Sequence, residues 1–253
     1  MLTVTVASLA GAGSLLQRLA WPAWTEARAR QPALRLDASM ATAGQGITLG
    51  LLGGFRALVA DATWVRMYAL WERRDLGGVQ HLIQLVATLD PRPAYFWING
   101  ARIMANDFAA WRMDAAGGYD ALAPAERVRI DREQARLALA HLEAAAPFHP
   151  ASAEMWTERA AIELNRLHDP LAAAESYRRA WEQPNAPYYA ARLHAELLRR
   201  AGKKAKALAW LVQLHPKLPA DDEAAAATTV LARIRELEAE LGVPPAQAYR
   251  ASR

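Results

Sequence analysis

Apolar residues recur along most of the chain at the three- and four-residue intervals of amphipathic helices. From about residue 46 onward, segments with this spacing alternate with short polar turns that contain Gly or Pro. A period of 3.6 residues gathers such side chains on one helix face, whereas a half-buried strand needs strict alternation. Leu and Ala are abundant and charged residues are interspersed, as in soluble amphipathic helices. The pattern therefore predicts an all-α fold.

The apolar pattern also repeats with a period of 34 residues, because Ala161 and Leu164 recur as Ala195 and Leu198. The second half of each unit repeats in the same way. Its apolar positions are Val79, Ile83 and Val86 in the first unit, Ala173, Tyr177 and Ala180 in the third, and Ala207, Leu211 and Leu214 in the fourth. A fixed period of this size indicates stacked helix–turn–helix units.

The spacing resembles that of tetratricopeptide repeats over roughly residues 60–221. In such hairpins small residues let two antiparallel helices approach closely, larger apolar residues fill the contact with the next hairpin, and proline ends the second helix. Pro184 and Pro219 stand at that last position here. The resemblance implies a right-handed α-solenoid of tetratricopeptide-like hairpins preceded by an N-terminal apolar helix.

A second resemblance covers the stretch from Leu49-Gly50 through Gly53-Gly54-Phe55-Arg56 to Leu89-Asp90-Pro91. It is similar to a bacterial group of N-terminally membrane-anchored tetratricopeptide proteins of unassigned function. That similarity implies an anchor and no chemical activity.

One unit departs from the period. Ala138, Leu142 and Ala145 supply its second helix about 25 residues late, so the repeat domain over residues 46–221 carries an insertion near 107–124. Pro124 predicts the start of a lengthened helix over 124–146. Residues 222–253 are predicted to form a capping helix and tail. An acidic run at the beginning of this segment, Asp221-Asp222-Glu223, favours a helix N-terminus.

Residues 1–24 are predicted to be an apolar anchor. Residues 2–16 carry no charge, and Arg18 and Trp21 follow at what resembles a membrane edge. A helix packed on the repeat domain and a cleaved signal peptide are the alternatives. Gly11-Ala12-Gly13 does not fit a dinucleotide-binding loop, because Leu16 occupies the place of the third glycine and no second strand follows at the right distance. Residues 25–45 are predicted to be a linker. Together with the anchor, this predicts a single-pass protein of the bacterial inner membrane, and the sequence leaves open the side on which the soluble domain lies.

The chain contains few residues from which a catalytic site could be built. Six histidines and no cysteine are present, and none of the spacings matches a metal site or a catalytic triad. His168-Asp169-Pro170 fits a turn better than a site, and the other histidines fit half-buried structural positions. The sequence therefore predicts no enzyme, no cofactor, no metal and no small-molecule substrate.

A partner protein is the expected ligand, because in tetratricopeptide domains the first helix of each hairpin lines a groove. The register assigns to that groove Tyr68, Tyr95, Asn99, Arg102, Asn106, Glu158, Asn165, Tyr189, Arg192 and Arg199. Arginine and tyrosine on one face suit a peptide that is acidic or ends in a carboxylate. Trp64 and Trp71 fit either the groove or the core.

The sequence thus predicts a non-enzymatic scaffold, tethered to a membrane through residues 1–24, whose groove binds a segment of another protein. The alternative is a structural subunit of a membrane-associated complex, held by its convex face or by the insertion near Trp111. RNA is the least favoured partner, because the net charge is only +4 and the basic patch is small. That patch comprises Arg192, Arg199, Arg200, Lys203, Lys204 and Lys206.

Overall fold

The computed structural model describes residues 56–251, and every regular element in that range is a helix. The α-helices are α1 (Arg56–Glu72), α2 (Leu76–Leu89), α3 (Ala94–Arg102), α4 (Phe108–Ala115), α5 (Pro124–Ala145), α6 (Ala153–Asn165), α7 (Pro170–Trp181), α8 (Tyr188–Arg200), α9 (Lys204–Leu214) and α10 (Ala227–Glu240). The all-α prediction is confirmed for this part of the chain. The predicted anchor over 1–24 and linker over 25–45 lie outside the described residues, as do residues 46–55 and 252–253.

Among the helices within 56–251, none combines the length and the apolar character that crossing a membrane requires.

Local sequence signals set several helix starts. The Asp75 carboxylate accepts a hydrogen bond from the Gly78 N–H at 3.0 Å at the start of α2. The Ser152 hydroxyl accepts from Met155 at the start of α6, and Asp169 accepts from two backbone N–H groups at the start of α7. Such caps satisfy amide groups that have no partner inside the helix. His168 adopts a left-handed φ of 53° just before α7, which agrees with the predicted turn.

The helices pack in chain order. Within the described range α1 packs on α2, α3 on α5, α6 on α7, α8 on α9 and α10 on α9, and α7 also packs on α8. Alanines with no exposed surface occupy many of these contacts, for example Ala101, Ala138, Ala173 and Ala207. Small side chains at a helix contact allow a short distance between the two axes. The buried core therefore runs from helix to helix along the chain.

The insertion expected near 107–124 is largely helical. Residues 103–107 form a π-helical segment that joins α3 to α4, so one continuous helical rod extends over 94–115. Phe108 is fully buried and Met113 nearly so, which explains why this part of the rod is folded. Only residues 116–123 connect the rod to α5, whose bounds agree closely with the helix predicted over 124–146.

The capping helix begins later than the acidic run suggested. Asp222 caps a short 3₁₀ turn, Glu223–Ala225, and Ala226 then adopts a left-handed φ of 51° that separates the turn from α10. Val230, Ile234 and Leu237 of α10 are buried, whereas Leu241 is exposed.

Candidate partner-binding face

Exposed tyrosines of α1 and α3 meet at the N-terminal end of the described chain. The hydroxyl groups of Tyr68 and Tyr95 lie 3.4 Å apart, and both side chains are exposed. The Trp64 ring centroid lies 5.6 Å from that of Tyr95, but Trp64 is only 4% exposed. Trp64 therefore belongs to the core, whereas the two tyrosines present an aromatic surface. Trp71 is partly exposed and donates to the Asp107 carboxylate at 3.1 Å.

An ion pair links α3 to α6 in the middle of the chain. The Arg102 Nε donates to the Glu158 carboxylate at 2.7 Å. Glu158 is buried, whereas the Arg102 side chain is about half exposed. Burial raises the pKa of the Glu158 carboxyl, and the Arg102 cation opposes that rise. The pair thus links the two helices and leaves about half of the Arg102 side chain accessible.

Three asparagines predicted for the groove have different environments. Asn99 donates to the backbone carbonyl of Tyr95 at 2.9 Å, within its own helix. Asn106 accepts from Arg166 Nε at 3.0 Å, so this amide also bridges to the end of α6. Asn165 is exposed at the last residue of α6. Of the three, only Asn106 forms part of a helix-to-helix contact.

The remaining predicted residues lie together at the C-terminal end, where α8 and α10 both pack on α9. Tyr189, Arg192 and Arg199 line a cleft of about 500 Å³ between α8 and α10, which we call the C-terminal cleft. Arg192 donates to the backbone carbonyls of Ala224 and Ala225 at 2.7 and 2.9 Å. This contact holds the turn before α10 against α8.

Glu196 is the acidic residue of the C-terminal cleft. Arg199 binds its two carboxylate oxygens at 2.8 and 2.9 Å, and Arg200 binds one of them at 2.7 Å. These hydrogen bonds lower the pKa of Glu196 to about 2, and burial opposes that effect. Glu196 is therefore ionised at neutral pH and aligns both guanidinium groups along the rim.

The residues that α10 contributes to the cleft were not among those predicted from the sequence. Arg233 and Thr229 line the cleft opposite α8, although α10 was assigned only a capping role. Their positions next to the buried Val230 would have placed them at the edge of the packed face. The sequence does not indicate the direction in which α10 crosses α9, and this direction decides which α10 residues face α8.

Burial keeps two histidines in their neutral form. The His141 ring lies 4.8 Å from that of Trp97, and burial lowers its pKa to about 4. His194 forms a 2.7 Å hydrogen bond with the carbonyl of Ala174, and burial lowers its pKa as well. Within 56–251 no three His, Asp or Glu residues are grouped so that they could hold a metal ion.

No protein-family model matches the chain, and no curated protein sequence matches it significantly. The class of protein and its function are therefore inferred from the residue pattern, the fold and the geometry of the candidate face. By this term we mean the surface that carries Tyr68, Tyr95, Arg102, Asn106 and the C-terminal cleft.

Proposed function

We propose that the protein is a non-enzymatic scaffold of the tetratricopeptide type, a solenoid of helical hairpins that binds a segment of another protein along its first helices. Support comes from the second helix of each hairpin. Each of these helices carries three buried residues at the same spacing of four and then three. They are Val79, Ile83 and Val86 in α2, Ala138, Leu142 and Ala145 in α5, Ala173, Tyr177 and Ala180 in α7, and Ala207, Leu211 and Leu214 in α9.

This shared burial pattern supports stacked units, because equivalent residues of successive hairpins occupy equivalent packing positions. The short turns between α1 and α2, α6 and α7, and α8 and α9 support the same arrangement, and the first two carry side-chain caps.

The observation that carries the binding proposal is the link between first helices along one face. Tyr68 of α1 meets Tyr95 of α3, and Arg102 and Asn106 of the 94–115 rod contact α6. Side chains predicted separately from the repeat register thus form adjoining contacts. Exposed tyrosine and accessible arginine are the side chains most often found at binding hot spots.

We place this scaffold at a bacterial inner membrane, anchored through residues 1–24. The proposal is compatible with a soluble domain on the cytoplasmic side or on the opposite side of the membrane. This part of the proposal rests on the apolar N-terminal sequence and on the resemblance to anchored repeat proteins.

The 94–115 rod and α5 form a long hairpin whose tip comprises residues 116–123. A second candidate function is a structural subunit of a membrane-associated complex, held by this tip. Tyr119 at that tip is 59% exposed, and the Arg127 guanidinium lies 4.3 Å from its ring centroid. The 22 residues of α5 span about 33 Å, whereas α7 has 12 residues, so the hairpin is much longer than its neighbour.

Site-specific variants of the full chain in detergent separate the two candidates. Tyr68→Ala with Tyr95→Ala should abolish capture of the partner if the groove binds it. Tyr119→Ala should do so if the hairpin tip binds it. Leu171→Ala is the control, because Leu171 is an exposed apolar residue on the second helix α7.

Each variant is first checked for helical content by circular dichroism, and captured proteins are compared by quantitative mass spectrometry. A partner lost in the double tyrosine variant and retained in the other two supports the scaffold. Retention of every captured protein in the double variant would contradict it.

A further inference from the structure

The C-terminal cleft has a different composition from the rest of the candidate face. At its base lie Leu211 of α9 together with Val230 and Leu237 of α10, each no more than 2% exposed, so these core residues close the cleft and present almost no surface to it. The accessible apolar surface comes from the α8 wall, where Tyr189 is 44% exposed and Leu193 is half-buried. An open cleft of about 500 Å³ with an aromatic wall has room for a few side chains of a bound segment.

The rim of the C-terminal cleft carries more positive than negative charge. Arg192, Arg199, Arg200 and Arg233 line it, and Glu196 is the acidic residue among the lining side chains. Arg192 binds backbone carbonyls rather than a carboxylate, so those contacts leave its charge unneutralised. The outer neighbours Glu236 and Glu240 pair with Arg233 and Lys204. Five cations therefore face three carboxylates across the cleft and its edge.

Two of the rim arginines remain accessible. The Arg200 side chain is 68% exposed and that of Arg233 is 42% exposed, although each contacts one carboxylate. An exposed ion pair of this kind contributes little stability and is easily exchanged for another anion. A guanidinium can bind a second carboxylate through its remaining N–H groups.

The chain's own C-terminal tail contacts other positions. The Tyr249 backbone N–H donates to the Glu238 carboxylate, and its hydroxyl lies 3.0 Å from His215 Nδ1. Neither Glu238 nor His215 lines the cleft.

We propose that the C-terminal cleft binds a short acidic segment of a partner protein, with an apolar side chain against Tyr189 and flanking carboxylates on Arg200 and Arg233. This inference rests on the proposed scaffold function and specifies the chemistry of the partner. The excess of cations at the rim supplies the charge complementarity, and the exposed Tyr189 ring favours a peptide with an apolar side chain over a phosphate backbone alone.

The test uses fluorescein-labelled peptides and fluorescence anisotropy with the full chain in detergent. A short peptide of Glu and Leu is compared with one in which Lys replaces every Glu and one in which Ser replaces every Leu. The Glu and Leu peptide should bind, and both analogues should bind at least about tenfold more weakly. Its affinity should fall as salt is raised.

Charge-reversal variants locate the site. Arg200→Glu with Arg233→Glu should weaken binding of the Glu and Leu peptide by about tenfold or more, and Arg200→Gln with Arg233→Gln by a smaller factor. Arg132→Glu is the matched control, because Arg132 is an exposed arginine of α5 that does not line the cleft. It should leave the affinity within about twofold.

Three outcomes would overturn the assignment: equal binding of the Glu and Lys peptides, unchanged affinity in both double variants, or displacement of the peptide by poly-uridine RNA. If the cleft fails this test while the Tyr68 and Tyr95 variant still loses a partner, the proposed scaffold function stands and only the site is wrong. If neither experiment detects a bound segment, both proposals fall.

Discussion

Gly100→Ala should destabilise the protein, although alanine is a better helix former than glycine. Gly100 lies in α3 between α2 and α5. A Cβ at this position would lie 2.7 Å from Ile83 Cγ2 and 2.8 Å from His141 Nε2. Ile83 has no exposed surface, and the His141 ring packs 4.8 Å from the Trp97 ring. Neither neighbour can therefore move aside without disturbing the core.

The magnitude follows from two opposing contributions. Replacing glycine by alanine inside a helix gains up to about 1 kcal/mol. Forcing a methyl group into a close-packed core costs about 1–3 kcal/mol, and here it meets side chains of two different helices. The free energy of unfolding should fall by about 1–2 kcal/mol, since the cost lies in the upper part of that range.

Gly77→Ala provides a chemically identical control. Gly77 lies in the first turn of α2, and the nearest atom to its added Cβ would be Asp75 Oδ1 at 3.9 Å. This substitution should raise the free energy of unfolding by about 0.5–1 kcal/mol. The two alanine variants should therefore differ by about 1.5–3 kcal/mol.

Urea unfolding followed by far-ultraviolet circular dichroism measures both variants, with midpoint and slope fitted separately. Adding Ile83→Ala, which removes the Cγ2 atom, should make the loss from Gly100→Ala smaller than in the wild-type background. A Gly100→Ala protein as stable as the Gly77→Ala protein would refute the packing argument.

Three further substitutions probe other features. His141→Gln should reduce the loss of stability that the wild-type protein shows in acid. Burial lowers the pKa of His141 from 6.5 to about 4. Between these pH values the unfolded chain binds a proton that the folded protein does not bind, at a cost on the order of 3 kcal/mol. Glu158, whose pKa is raised by burial, has the opposite effect on stability as the pH falls. The urea midpoints of variant and wild type are therefore subtracted at pH 7 and at pH 4.5, and the two differences are compared. Ala226→Gly should stabilise the protein by about 0.5–1 kcal/mol because Ala226 has a left-handed φ of 51°, and thermal unfolding should show a higher midpoint. Asp169→Ala should cost about 1 kcal/mol by removing the cap from two N–H groups of α7, and an unchanged urea midpoint would contradict that role.

Much of the helical fold could be predicted from the sequence because its signals are local. Pro124 marks the first residue of α5, and Asp169 followed by Pro170 marks the start of α7. The buried face of α10 follows from the spacing of Val230, Ile234 and Leu237. The π-helical link between α3 and α4 could not be predicted, because one extra residue in a helix is tolerated only where tertiary packing favours it.

The candidate face was less predictable than the fold. The repeat register placed Tyr68 and Tyr95 on first helices, but their contact depends on how α1 is oriented relative to α3. Glu158 was expected to line the groove, and the structure shows it buried beneath the contact with Arg102. Exposure of a polar residue depends on what its neighbouring helix covers, and periodicity within one helix does not carry that information.

The long hairpin shows how a period can resume after a large insertion. The added residues form a small core of their own, in which Met113 packs with Ile130, and Arg74 joins Asp114 through a 2.7 Å ion pair that ties the rod to the end of α1. Because the Met113–Ile130 contact is formed within the insertion, the later part of α5 can bury Ala138 as α2 buries Val79. Tyr119 at the hairpin tip is exposed and lies outside this core, so substitutions there should leave the candidate face unaltered.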